Sequence, residues 1–254
     1  VREQQRRALV EHARARGLRE RLARGDAVAY ARSAEALDPD ALTLGFARRA
    51  ATYKRVSLLL SQLDAGLELL HGDRPVQLLL AGKAHPRDDE AKRTLQRLFA
   101  VRGADGVGGR VVFLEDYDLD TAARLVAGCD VWINLPRPPL EASGTSGMKS
   151  VVNGGLQLSV LDGWWAEAHD GTNGWALPGE VWEDHGAQDA RDGAELLRLL
   201  VEEVVPTFHD RDGQGIPRAW LTRVRRSMRT LAPRFSAQRM LDDYLRDIYP
   251  TPAP

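Results

Sequence analysis

Glu141-Ala-Ser-Gly-Thr-Ser-Gly-Met-Lys149 is a loop of small residues with a carboxylate at its start and an amine at its end. Glycines let the backbone come close to a ligand, and successive N–H groups in such a loop can surround an anion. A helix expected to begin near Thr145 adds the favourable end of its dipole for a phosphate group. Lys149 then falls about one turn into that helix. Lysine is scarce: Lys54, Lys83, Lys92 and Lys149 are the only four, so 31 of the 35 Lys and Arg residues are arginine. Arginine keeps its proton, whereas a desolvated lysine can lose it and form an imine. Two readings of Lys149 stay open, an amine used in chemistry and an ordinary first-turn helix residue.

A second constellation is Arg48-Arg49-Ala-Ala-Thr-Tyr-Lys54-Arg55, with four cations in eight residues directly after an apolar run. Arginine offers paired donors to a phosphate and lysine a point charge. The favoured reading is an anion site, against a solvated basic turn. A third is Leu161-Asp-Gly-Trp-Trp-Ala-Glu167. Its paired indoles can stack on sugar faces or belong to a core, and the sequence leaves both open. Glu141 is either a hydrogen-bond acceptor for substrate hydroxyls or a capping or salt-bridging carboxylate. The six histidines show no metal-ligand spacing, so no residue is assigned to a metal.

These groups need elements to hold them. Ala41–Phe46, Val76–Ala81, Arg110–Leu114, Val131–Leu135 and Leu156–Leu161 read as five apolar strands. Helices are expected between them over Tyr53–Leu70, Arg87–Ala100, Leu119–Val126 and Thr145–Val152. That alternation predicts an α/β fold, a Rossmann-like parallel sheet with helices on both faces. Ligands bind beyond the carboxyl ends of such strands. The loops there are Ala47–Tyr53, Gly82–Pro86, Glu115–Asp118, Pro136–Gly147 and Asp162–Glu167, and every unusual feature lies in one of them. Residues 1–36 read as a surface or bridging helix with a partial apolar stripe, broken near Gly17 or Gly25. Helices over Ala194–Val205, Ala219–Leu231 and Ala237–Ile248 follow the sheet, and Pro250–Pro254 reads as a frayed terminus.

Composition narrows the class further. With 254 residues, 43% of them hydrophobic and 28% charged, the chain reads as a soluble globular protein. A net charge of −1 gives no general attraction to nucleic acid or anionic membrane. The single cysteine, Cys129, excludes an intrachain disulfide framework and a cysteine-based zinc site. A cytoplasmic location is the default expectation. Val1 is not methionine, which suggests a fragment of a longer protein.

Taken together, the Glu141–Lys149 loop, the Arg48–Arg55 cluster and the Asp162-Gly-Trp-Trp-Ala-Glu167 motif resemble the α-glucan (glycogen/maltodextrin) phosphorylases of bacterial type. The resemblance runs from about Asp38 to Tyr249. It implies the C-terminal half of a GT-B glycosyltransferase fold. It implies three parts: a helical lead-in to an absent N-terminal domain (1–37), a Rossmann-like cofactor- and phosphate-binding domain (38–190), and C-terminal helices packed on that domain (191–254). It also implies pyridoxal 5′-phosphate held as an imine on Lys149, with the cofactor phosphate exchanging a proton with inorganic phosphate. In the same way it assigns Arg49 and Lys54 to the substrate phosphate and Glu141 to a glucose hydroxyl. Arg48, Tyr117, Gly144, Thr145, Ser146 and Gly147 would surround the cofactor. The implied partners are α-glucan, inorganic phosphate and the parent's N-terminal domain, and a homo-oligomer is admitted. Three positions depart from the relatives' pattern. Asp118 stands for an arginine of the animal enzymes, Ala50 for a phenylalanine and Pro138 for an arginine of the bacterial type. Competing readings are a nucleotide-sugar-dependent GT-B glycosyltransferase of the glycogen or starch synthase kind, and a non-catalytic cofactor-binding fragment. The former has no need of an imine-forming lysine.

Overall fold

The computed structural model describes residues 1–61, 69, 70, 72–101 and 109–249. Six strands pair in parallel throughout: β1 (Leu42–Ala47), β2 (Val76–Ala81), β3 (Val111–Leu114), β4 (Val131–Asn134), β5 (Leu156–Val160) and β6 (Gly174–Leu177). Their order across the sheet is β3-β2-β1-β4-β5-β6. The order reverses between β1 and β4, which opens a crevice at their carboxyl ends. Every position of β1, β2, β4 and β5 is buried, as expected for a sheet covered on both sides. Gly45 of β1 sits opposite Trp132 of β4; a Cβ there would lie 2.4 Å from the Cys129 sulfur. That absence of a side chain lets the indole lie across the sheet.

The helices are α1 (Arg2–Ala23), α2 (Val28–Ala31), α3 (Ser57–Ser61), α4 (Asp89–Val101), α5 (Leu119–Gly128), α6 (Thr145–Val152), α7 (Trp164–Ala168), α8 (His185–Leu199), α9 (Val205–His209), α10 (Arg218–Arg234) and α11 (Ala237–Asp247). On one face of the sheet Phe46, Leu80, Ile133 and Leu158 meet Leu196, Phe208, Trp220 and Val224 of α8–α10. On the other, Leu79, Leu114 and Trp132 meet Leu9, Val10 and Ala13 of α1 and Leu125 of α5. The fold is the α/β, Rossmann-like sheet that the strand pattern predicts.

Several elements differ from expectation. α1 is not a surface helix: Leu9, Val10 and Ala13 are at most 1% exposed. Its arginines anchor it, with Arg2 donating to the Cys129 carbonyl (2.7 Å) and Arg6 to Asp130 (3.0 Å). The helix passes straight through Gly17, whose missing side chain admits Ala34, and ends before Gly25, which has φ +84°. β6 was not expected. It has only four residues and starts on a glycine that must lie under Trp165, where a Cβ would come within 2.7 Å of the ring. The expected helix over Tyr53–Leu70 begins with a 3-10 turn at Thr52–Lys54, and its stretch over 62–68 lies outside the described residues. The terminus Pro250–Pro254 also lies outside them. α11 buries none of its residues, while α10 buries Trp220, Val224 and Leu231. No helix among the described residues is long and apolar enough to cross a membrane.

The burial of α1 has a measurable consequence. Truncating a fully buried leucine costs about 2–5 kcal/mol. Leu9→Ala is expected to lower the unfolding free energy by that amount in a urea titration. A change within about 0.5 kcal/mol, the size of a surface substitution, would show α1 to be loosely attached.

Candidate functional site

The site forms where the loops after β1 and β4 face each other. Arg55 joins them. It has φ +48°, a left-handed turn that sends its side chain inward. Its Nε–H donates to the Leu135 carbonyl (3.0 Å) and its Nη2 to the Pro136 carbonyl (2.9 Å). Its Nη1 meets Asp189 at 3.0 Å and Asp192 at 2.7 Å, both on α8. The Arg137 N–H donates to the Tyr53 carbonyl (2.7 Å), and its guanidinium grips Asp189 and Gln188. From its place in the basic cluster, Arg55 is expected to be an anion-binding cation. Its donors are instead spent inside the protein.

Arg48 and Lys54 remain turned toward the crevice. Both meet Glu141, and both contact the same oxygen, Oε2, Arg48 at 3.3 Å and Lys54 closer. All three side chains are largely buried. Burial pushes the Arg48 guanidinium below its ordinary range, opposed by the charge and hydrogen bond of Glu141. The Arg48 side chain also lies over the Phe46 ring at 5.2 Å. Arg49 is exposed and turns elsewhere. It lines an open cavity of about 460 Å³ with His85, Arg87 and Asp88. No contact among the described residues ties Arg49 to Glu141.

The loop after β5 fixes the Glu141–Lys149 segment. The Glu141 N–H donates to Asp162 (2.9 Å), and the Trp164 N–H to the Ser143 carbonyl (2.8 Å). Gly163 sits so close that a Cβ would lie 2.5 Å from the Ser143 oxygen. Gly144, with φ +96°, turns the chain into α6. Helix and loop thus have the bounds the sequence implied. Gly147 rests on Gln157, where a Cβ would meet Oε1 at 2.5 Å. Ser146 accepts from the Trp132 indole at 3.2 Å. Thr145 and Lys149 are exposed on α6, and no hydrogen bond or ion pair among the described residues engages the Lys149 amine.

Tyr117, in the loop after β3, is half-buried. Burial pushes its hydroxyl above the ordinary phenol range, and the positive charge of Arg48 acts against that. Asp118 turns away from the crevice. It caps α5 through the Thr121 N–H (2.8 Å) and pairs with Arg16 of α1 at 3.0 Å. Those backbone and side-chain bonds hold its carboxyl well below the usual carboxylate range. Arg16 also donates to the carbonyls of Glu115 (2.9 Å) and Asp116 (3.0 Å), so α1 braces the loop that carries Tyr117. Nothing in the sequence signals that role.

Trp164 and Trp165 belong to the core rather than to an open face. Trp164 packs edge-on against Phe235 at 5.1 Å, and Trp165 donates to the Trp175 carbonyl at 3.0 Å. The Trp164 Nε1, however, is buried without a partner, as are Asn134 Oδ1 and both polar atoms of Gln157. These three side chains border Gly144 and Gly147, so unmet hydrogen-bonding capacity gathers under the start of α6. Spacing could not reveal them, because they come from β4, β5 and α7.

Asp192 is fully buried beside Arg55. Asp192 keeps Arg191 (2.8 Å) and Asp189 keeps Arg137, so removing Arg55 chiefly strips the buried Leu135 and Pro136 carbonyls of their donor, at about 1–3 kcal/mol for each unmet group. Arg55→Met is expected to lose that much stability in chemical denaturation. A near-neutral result would show that the two loops are held by something else.

The chain is also similar to known proteins. The family described as carbohydrate phosphorylase matches residues 19–173. Glycogen phosphorylase of Mycobacterium tuberculosis is 45% identical over 252 residues, covering 98% of this chain and 29% of that protein. Glycogen phosphorylase of Aquifex aeolicus is 43% identical over 244 residues, 95% of this chain and 35% of that protein. Maltodextrin phosphorylase of Thermococcus litoralis is 42% identical over 215 residues, 84% of this chain and 25% of that protein. The chain therefore spans about a third or less of the length of these relatives. Its six-stranded parallel sheet with helices around it is consistent with the GT-B fold of the phosphorylases, and the chain belongs to the carbohydrate phosphorylase family.

Proposed function

We propose that the chain is the cofactor- and phosphate-binding part of an α-glucan phosphorylase. The parent would cleave α-1,4-glucan with inorganic phosphate, giving glucose 1-phosphate and a shortened glucan. The observation that carries this reading is the meeting of Arg48, Lys54 and Glu141 at the sheet's switch point. Cations for phosphate and a carboxylate for sugar hydroxyls then stand next to the amino end of a helix bearing a free lysine.

The residues present suit pyridoxal 5′-phosphate. At Gly144 and Gly147 a Cβ would point inward onto Trp164 (3.0 Å) and Gln157 (2.5 Å), so these glycines seat the turn tightly on the core and add no side chain of their own to the loop. Unpartnered polar atoms of Asn134, Gln157 and Trp164 border the same place. Lys149 is the attachment point, and Arg48, Tyr117 and the Gly144–Gly147 turn hold the cofactor. When bound, its phosphate supplies a proton-exchanging group beside the substrate phosphate. Lys54 holds and orients the substrate phosphate, and Arg49 joins it by turning in from the exposed position it takes here. Glu141 accepts from a glucose hydroxyl and fixes the ring over the Gly144 turn. The parent's remaining chain supplies the opposing wall, the rest of the glucan surface and the exclusion of water. A cytoplasmic location accords with a single, buried cysteine.

Three outcomes follow. Incubation with pyridoxal phosphate and reduction with borohydride should label Lys149, as read by peptide mass mapping. Label elsewhere, or none on folded protein, would remove the central element. Arg49→Ala in a full-length parent should lower kcat/KM for phosphate roughly tenfold to a hundredfold, the range of a lost charged hydrogen bond worth ~1.5–3 kcal/mol, with cofactor content retained. Unchanged phosphate dependence would take Arg49 out of the phosphate site. Residues 1–254 with added cofactor should release almost no glucose 1-phosphate from maltodextrin. Sustained turnover near an ordinary enzymatic rate, about 1 per second or more, would require a complete site in this chain.

A further inference from the structure

Arg16, Glu20 and Arg24 recur every four residues along α1 and so share one face of the helix. All three engage the short loop Glu115–Asp118 that follows β3. Arg16 has five N–H donors, and each finds an acceptor. Nη2 serves the carbonyls of Glu115 (2.9 Å) and Asp116 (3.0 Å). Nη1 serves the Asp118 carboxylate (3.0 Å) and the Thr121 hydroxyl (2.6 Å), and Nε the Glu20 carboxylate (2.5 Å). The other oxygen of Glu20 accepts from the Glu115 N–H (3.2 Å), and Arg24 pairs with the Glu115 carboxylate.

This grip sets an uncommon backbone shape. Asp116 has φ +47°, a left-handed turn that a non-glycine residue holds where its surroundings impose it. Its carbonyl is one of the two that Arg16 holds. Its carboxylate reaches the exposed Lys83 at 3.9 Å, a contact that contributes little. Tyr117 comes next, and its side chain takes no part in the grip. It packs instead against the cluster of Ala47, Ala81 and Trp132, where the positive charge of Arg48 reaches its hydroxyl. Neither helix needs the loop carbonyls to be held. α1 is already seated by Leu9, Val10 and Ala13 and by Arg2 and Arg6, and α5 is already capped by Asp118. What the grip adds is the direction of the residue between them.

We propose that Arg16, supported by Glu20, is a positioning residue for the cofactor: it holds the Glu115–Asp118 loop in the turn that brings the Tyr117 hydroxyl to the cofactor site. This rests on the phosphorylase reading of Tyr117. Arg16 acts through the loop and not by contact, since all five of its donors are taken within the protein. Its influence on cofactor binding therefore passes through one hydroxyl, and the two residues form a single coupled unit.

The test is a double-mutant cycle on the purified 254-residue chain, with pyridoxal phosphate as the probe and its affinity read by equilibrium dialysis. Tyr117→Phe removes the hydroxyl and should weaken the cofactor about threefold to tenfold, the range of one hydrogen bond. Arg16→Lys keeps the charge but has three donors for five acceptors, and it should cause a loss of similar size. Combined, the two should weaken binding no further than Tyr117→Phe alone, within about twofold. Glu20→Met replaces Arg16→Lys in the cycle should the lysine form unfold, as judged by circular dichroism. Losses that multiply would show that α1 acts on the fold at large, and the proposal would be wrong. It would also be wrong if Tyr117→Phe weakens the cofactor while Arg16→Lys and Glu20→Met leave it unchanged, with the role of Tyr117 intact. If Tyr117→Phe changes nothing, the assignment of Tyr117 falls and the proposal with it. If the unaltered chain takes up no cofactor, the phosphorylase reading itself falls.

Discussion

The buried guanidinium of Arg55 is the interaction on which the site depends. A parallel sheet with reversed strand order leaves the ends of β1 and β4 pointing into a gap, and backbone carbonyls there have no strand partner. Arg55 satisfies two of those carbonyls, Leu135 and Pro136, from the far side of the gap. Its charge is balanced by Asp189 and Asp192, which brings α8 against both loops. One residue thereby sets the spacing between the cationic loop and the acidic loop. Arg48, Lys54 and Glu141 can meet because that spacing is already fixed. A surface salt bridge would add little; a buried charge with fixed acceptors is hard to move, and the loops it joins are correspondingly well placed.

Much of this was legible in the chain itself. Five of the six strands show as apolar runs, because a sheet covered on both sides needs them. The bounds of α6 follow from a glycine turn ahead of a helix-forming run. β6 was hidden because four residues beginning with Gly174 carry too little pattern. Strand order was hidden for a different reason: it depends on crossovers, which local periodicity does not encode. That the loops carrying Arg48, Lys54 and Glu141 share one end of the sheet follows from strand-end position; their contact does not, because it needs β1 and β4 to be neighbours. Nor do the opposite fates of Lys54 and Arg55. They are adjacent cations, and one left-handed backbone turn sends the second inward. Trp164 and Trp165 teach the same lesson, since residue type gives stacking capacity but not the face it serves.

The site's surroundings show where specificity of position comes from. Each loop is held by an element distant in sequence: the acidic loop by Asp162 and Trp164, the tyrosine loop by Arg16 of α1. Asp118 is drawn into that last contact and away from the crevice. The arginine-rich composition makes such bracing available, because a guanidinium can hold several carbonyls at once.

The docking of α1 also bears on the order in which the chain can assemble. Its anchors lie far downstream: Arg2 reaches the Ala127 carbonyl across 125 positions, and Arg16 reaches Thr121 across 105. During synthesis from the amino end, this helix leaves the ribosome well before its seat exists. Its apolar patch is confined to Leu9, Val10 and Ala13 and is surrounded by arginines that later become its clamps. A small patch ringed by like charges resists sticking to other nascent chains while it waits. The weak apolar stripe that made α1 look like a surface helix is what a segment with a late appointment requires.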